Sequence, residues 1–157
     1  MSQFEDSIDV DVPVRIAYDQ WTQFESFPQF MDGVESVVQR DDRTLDWTAT
    51  IAGQRKEWTA EITDQTPDLR IAWKSTSGEE NAGAVVFEAL SGSQTRITLK
   101  LDVEPDGLVE TVGTGLGFLE RRVKGDLERF KTFIEGRAMP TGAWRGEIHG
   151  VRVTKTA

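Results

Sequence analysis

The chain has 157 residues, 38% apolar and 29% charged, with a net charge of −9 at neutral pH. That composition suits a single globular domain with a sizeable core. An acidic surface repels phosphate backbones and anionic bilayers, and the absence of cysteine excludes disulfides, thiolate chemistry and Cys-held metals.

The first residues, Met-Ser-Gln-Phe-Glu-Asp, are acidic and carry no apolar stretch, so no signal peptide is legible. The least charged run, 107–119, contains Glu110 and is too short to span a bilayer. A cytoplasmic protein is expected. Residues 4–12 alternate, with Phe4, Asp6, Ile8, Val10 and Val12 on one side and Glu5, Ser7, Asp9 and Asp11 on the other. This predicts a half-buried strand. Pro13 suits the first turn of a helix, and Val14, Ile16, Ala17, Tyr18 and Trp21 give that helix an apolar face. The next segment, from Trp21 to Met31, packs Phe24, Phe27 and Phe30 around Pro28. It is too apolar for a solvated loop and too broken for one long helix. Asp32-Gly33 then marks a turn.

From residue 34 the period is two. Strands are predicted at 34–40, 44–51, 54–63, 69–75, 83–90 and 94–103, separated by residues with turn chemistry such as Asp41-Asp42, Gly53, Pro67-Asp68, Gly78 and Gly92. The short connections imply an antiparallel meander. Its inward series includes Leu45, Trp47, Trp58, Ile62, Leu69, Ile71, Trp73, Val85, Phe87, Ile97, Leu99 and Leu101. Asp106 is a candidate cap for a long helix, in which apolar residues recur at 108, 112, 116, 119, 123, 127, 130 and 134. The charges between them, from Glu120 to Lys131, alternate in sign and read as a solvated face. Gly136 is a natural stop. One domain over 1–136 is expected, followed by a polar tail at 137–157 that reads as an appended strand or a loose end.

The order is strand, two short helices, six strands and a long helix: an α+β chain with a seven-stranded antiparallel sheet. This chain resembles the helix-grip superfamily of START lipid-transfer domains, polyketide cyclase/dehydrase proteins and coenzyme Q-binding START proteins. The resemblance rests on Val12-Pro13, the segment from Trp21 to Met31, Val34-Glu35-Ser36-Val37 and the closing helix from Leu127 to Glu135. It covers about residues 4–136. It implies a curved sheet gripping the long helix, with a ligand cavity between them.

Hydrophobic-ligand candidates are Trp21, Phe24, Phe27, Phe30, Trp47, Trp58, Trp73, Phe87 and Leu99, with Val112, Leu116 and Leu119 from the helix. These residues either fill the core or line a pocket. Buried indole N–H groups need a partner in either case. Gly113, Gly115 and Gly117 would each cost about 1 kcal/mol inside a helix. They permit a bend, thin the helix above a ligand, or allow close packing on the sheet. Without a βαβ unit or a Gly-Lys-Ser/Thr run they are not a phosphate loop. The single histidine, His149, lies in the polar tail, which argues against triad chemistry and His-held metals. Neither a metal nor a cofactor is expected. Lys56 and Tyr18 are the weak catalytic candidates, with Asp46, Arg55 and Glu57 as further polar groups.

Three functions fit. The first is a container for a lipid, isoprenoid quinone or polyketide-like molecule. The second is a cyclase/dehydrase acting on an aromatic or poly-keto substrate, and the third is an interaction module with a collapsed cavity. The partner under the first is a hydrophobic small molecule, and nucleic acid is not expected.

Overall fold

The computed structural model describes residues 2–51, 53–103, 115–137, 139–150 and 152–154. Strand β1 (Ser2–Val10) leads into helix α1 (Val14–Trp21) and a 3₁₀ helix (Phe24–Gln29). Strands β2 (Val34–Gln39), β3 (Thr44–Ile51), β4 (Gln54–Thr66), β5 (Arg70–Gly78), β6 (Asn81–Ser91) and β7 (Gln94–Val103) follow. Helix α2 (Gly115–Arg137) precedes two short strands, β8 (Glu147–His149) and β9 (Arg152–Thr154).

Seven antiparallel strands lie in the order β1-β7-β6-β5-β4-β3-β2, so the meander from β2 to β7 closes on the first strand. The aromatic segment resolves as a 3₁₀ helix because its spacing suits one. With three residues per turn, Phe24, Phe27 and Phe30 share a face, and all three are buried while Pro28 is exposed. On α2 the residues Val123, Leu127, Phe130 and Ile134 are buried, the steps of four and three expected for one stripe. Hydrogen bonds tie α2 to both sides of the sheet. Lys131 Nζ donates to the Asp9 carbonyl at 2.9 Å, and the Arg122 guanidinium donates to the carbonyls of Asp32 and Thr50 at 2.8 and 3.3 Å. Among the described residues no helix is long and apolar enough to cross a membrane.

Two expectations change, and a third falls partly outside the described residues. Among the described residues the strands number nine rather than seven, because part of the tail forms the β8–β9 hairpin and β8 pairs with β4 at Asp64↔His149 and Gln65↔Ile148. Ile148 is fully buried there. Arg145 anchors the same segment on Asp19 at 2.5 Å and Asp68 at 2.7 Å, and Gln20 accepts the Thr141 N–H at 2.8 Å. Leu69 does not face inward. Its N–H bonds the Thr66 carbonyl and its carbonyl accepts from Phe87, so the turn holds its backbone and leaves its side chain 51% exposed. The described helix begins at Gly115, and Asp106, Leu108, Val112 and Gly113 lie outside the described residues.

Candidate functional site

Between the sheet and α2 one end is solid. Trp21 meets Phe130 edge-on at 4.7 Å, Phe30 meets Phe130 and Phe133 at 5.1 and 5.3 Å, and Tyr18 meets Phe87 at 5.3 Å. Farther along α2 the facing residues among those described are Val123 and Leu127, which reach less far than phenyl rings. The sheet opposite them is not filled. A cavity of about 160 Å³ remains there, roughly ten times the ~10–15 Å³ that one water needs.

The aromatic part of the wall consists of predicted residues. Trp47 and Trp58 are directly opposed on β3 and β4 and stack at 5.6 Å with planes 10° apart. Phe27 packs on Trp47 at 5.6 Å. Trp21, Phe24, Trp73 and Leu99 complete the predicted part. Trp73 is held on two sides. Its ring lies on Gly83 of β6, where an added Cβ would come within 2.8 Å of the indole. Its Nε1–H donates to Asn81 Oδ1 at 3.0 Å. This is the partner a part-buried indole requires.

Other predicted residues lie elsewhere. Phe30 and Phe87 belong to the solid end rather than the cavity wall. Val112 lies outside the described residues, as do the side chains of Leu116 and Leu119. Lys56 is absent from the wall and pairs with Glu79 at 3.4 Å. Tyr18 is also outside the wall, fully buried beneath the Arg145 guanidinium. Its hydroxyl lies beside Gln65 without a hydrogen bond of good geometry, and burial pushes its pKa up to about 12. Asp46 is engaged by Arg40 and Thr59, and Arg55 pairs with Glu35 and Glu57 at the surface.

The polar residues of the wall are Asp32, Asn81, Arg122 and Asp126. Sequence reasoning took Asp32 for a turn and passed over the other three. Arg122 and Asp126 follow position 119 by three and then four residues, so they flank the apolar stripe, and that spacing was a usable signal. Gly33 positions Arg122: its backbone has φ +82° and no Cβ, and the guanidinium rests where one would stand. Asp126 Oδ1 accepts the Asp32 N–H at 2.9 Å and a close hydrogen bond from Arg129. Burial nevertheless raises the Asp126 pKa, outweighing Arg129, the Asp32 N–H and Arg122.

The arrangement suits enclosure of an apolar molecule by rigid rings, with a few polar groups at one side. The sequence profile of the family described as "Polyketide cyclase / dehydrase and lipid transport" matches residues 10–132. An uncharacterised 17.2 kDa protein from the melC2-rnhH intergenic region of Streptomyces lincolnensis is 53% identical over 149 residues, 94% of this chain and 99% of that protein. A START superfamily protein from Mycobacterium smegmatis superimposes with TM-score 0.66 at 17% identity, covering 86% of this chain and 95% of that one. The Zhui aromatase/cyclase of Streptomyces sp. R1128 does so with TM-score 0.68 at 16% identity, covering 90% and 98%. At those identities the two structures speak for the helix-grip fold.

Proposed function

We propose a function from the premise that this chain belongs to the polyketide cyclase/dehydrase and lipid-transport family: it binds a hydrophobic small molecule, of lipid, isoprenoid quinone or polyketide-like character, between the sheet and α2. The observation that carries the reading is the unfilled space walled by Trp47, Trp58, Trp73, Leu99 and Leu101. Burying a ligand there gains roughly 25 cal/mol per Å² of apolar surface before ordering costs. Native mass spectrometry and displacement of an apolar fluorophore test it. The purified protein is expected to bind the fluorophore with micromolar or tighter affinity and to lose it when Leu101→Trp fills the space. A folded wild-type protein that takes up neither fluorophore nor apolar adduct would refute the reading.

A cyclase/dehydrase reading draws on one further observation. Asp126 is a cavity-wall carboxyl whose pKa is raised, the property a proton-transfer group near neutral pH requires. Under that reading Asp126→Asn abolishes turnover of a poly-keto substrate while binding persists.

A further inference from the structure

Helix α1 ends in polar side chains that would ordinarily face water, yet Asp19, Gln20 and Thr22 are buried. Burying such groups costs free energy unless each finds a partner, and the C-terminal segment supplies one to all three. Gln20 bonds Thr141 through both ends of its amide. Its Oε1 accepts the main-chain N–H at 2.8 Å and its Nε2 donates to Oγ1 at 3.1 Å. Thr22 Oγ1 accepts the Trp144 N–H at 3.1 Å. The Arg145 guanidinium spans Asp19 and Asp68, with the Tyr18 ring beneath it. Ser26 of the 3₁₀ helix meets Thr141 Oγ1 at 3.1 Å, and a Cβ added to Gly142 would come within 2.5 Å of Gln23 Oε1.

The residues held in this way are interleaved with residues of the cavity wall. Trp21 lies between Gln20 and Thr22, and Ser26 lies between Phe24 and Phe27; all three rings line the cavity. Helices of eight and six residues do not hold their shape alone. Neither N-terminus here carries a side-chain cap hydrogen bond. On their inner side these rings border a gap, so the outer contact with the tail fixes where they stand. We infer that the C-terminal segment is a buttress of the ligand site and that Arg145 is its positioning residue. Arg145 is not part of the wall. Its planar fork joins a carboxylate of α1 to one in the β4–β5 turn, and so locks the helix that carries Trp21 to the sheet. The inference rests on the proposed ligand-binding function and gives a segment outside the cavity a part in it.

The test compares full-length wild type, Arg145→Ala and Arg96→Ala. Arg96 pairs with Asp9 at the surface between β1 and β7, so both variants lose one positive charge and only the first touches the buttress. Among proteins shown by circular dichroism to be folded, Arg145→Ala is expected to bind N-phenyl-1-naphthylamine about tenfold more weakly, and Arg96→Ala within about twofold of wild type, since a wall that must be ordered on binding lowers affinity. Amide hydrogen exchange over residues 14–30 is expected to quicken about tenfold or more in Arg145→Ala alone. Arg145→Lys keeps the charge but reaches one carboxylate at a time, and an intermediate loss of affinity is expected. Folded Arg145→Ala with wild-type affinity overturns the positioning role, as does an equal loss in Arg96→Ala. Should Arg145→Ala not fold, Arg145→Lys decides, and unchanged affinity and exchange in it overturn the role. A wild type that takes up neither this fluorophore nor an apolar adduct removes the ligand-binding reading, whereas exchange over 14–30 still decides whether Arg145 holds the wall.

Discussion

The two ends of the space between sheet and helix are lined by the same kinds of residue, yet one is solid and the other hollow. At the solid end Phe130 and Phe133 reach down from α2 and meet Trp21 and Phe30. At the hollow end Val123 and Leu127 face Trp47, Trp58 and Trp73 and leave a gap. Large rings face α2 at both ends, from α1 and the 3₁₀ segment at the solid end and from the sheet at the hollow end, so side-chain length on the helix decides which end packs. Under the proposed function, stability and binding fall to different stretches of one core.

The sharpest way to break that division is a matched truncation. Phe130→Ala, at a fully buried site, is expected to cost about 3–5 kcal/mol in urea unfolding. Leu101→Ala, half-buried on the cavity wall, should cost about 1 kcal/mol or less, because its neighbours already face a void. Equal losses would mean the two ends are packed alike.

Alkaline titration gives a somewhat smaller effect. Tyr18 is the only tyrosine, so tyrosinate absorbance reports it alone. In the folded protein it should ionise near pH 12 rather than near its ordinary value of 10. The folded state holds the proton more tightly than the unfolded state. Stability from this group is therefore complete below pH 10 and is lost as pH rises toward 12, in total about 2–3 kcal/mol. Ionisation near 10 in the folded protein would show that water reaches the solid end.

The smallest effect concerns how rigid the hollow end is. Asn81→Ala removes the acceptor of the Trp73 indole and is expected to cost about 1–2 kcal/mol. It should also weaken an apolar fluorophore several-fold by freeing the ring. Unchanged affinity would mean that the hydrogen bond does not set the wall.

Much of this was legible beforehand. A period of two placed Trp47, Trp58 and Trp73 on one face, whereas the spacing of three in Phe24, Phe27 and Phe30, which puts them on one face of a 3₁₀ helix, was not used. Register alone did not separate Phe30 and Phe87 from the cavity residues. All point inward, and whether an inward ring meets a partner or a gap depends on which α2 side chain lies opposite. The pairing of Ile148 with Gln65 was equally hidden, since it joins positions far apart in the chain and leaves no local pattern in a three-residue strand. Leu69 had an apolar side chain in strand register, but the turn at Asp68 (φ 62°) governs its orientation. Asp126 was masked by the general rule that helix charges face water. Its place beside the apolar stripe, and the burial that follows, make it the exception.

The near-parallel stack of Trp47 on Trp58 has a spectroscopic consequence. Two indoles this close couple their excited states, and a skew between their in-plane transition moments turns that coupling into a paired positive and negative band in far-ultraviolet circular dichroism. Any guest that wedges the rings apart, or slides one across the other, changes that doublet. The protein thus carries a label-free gauge of occupancy in the wall of its own chamber.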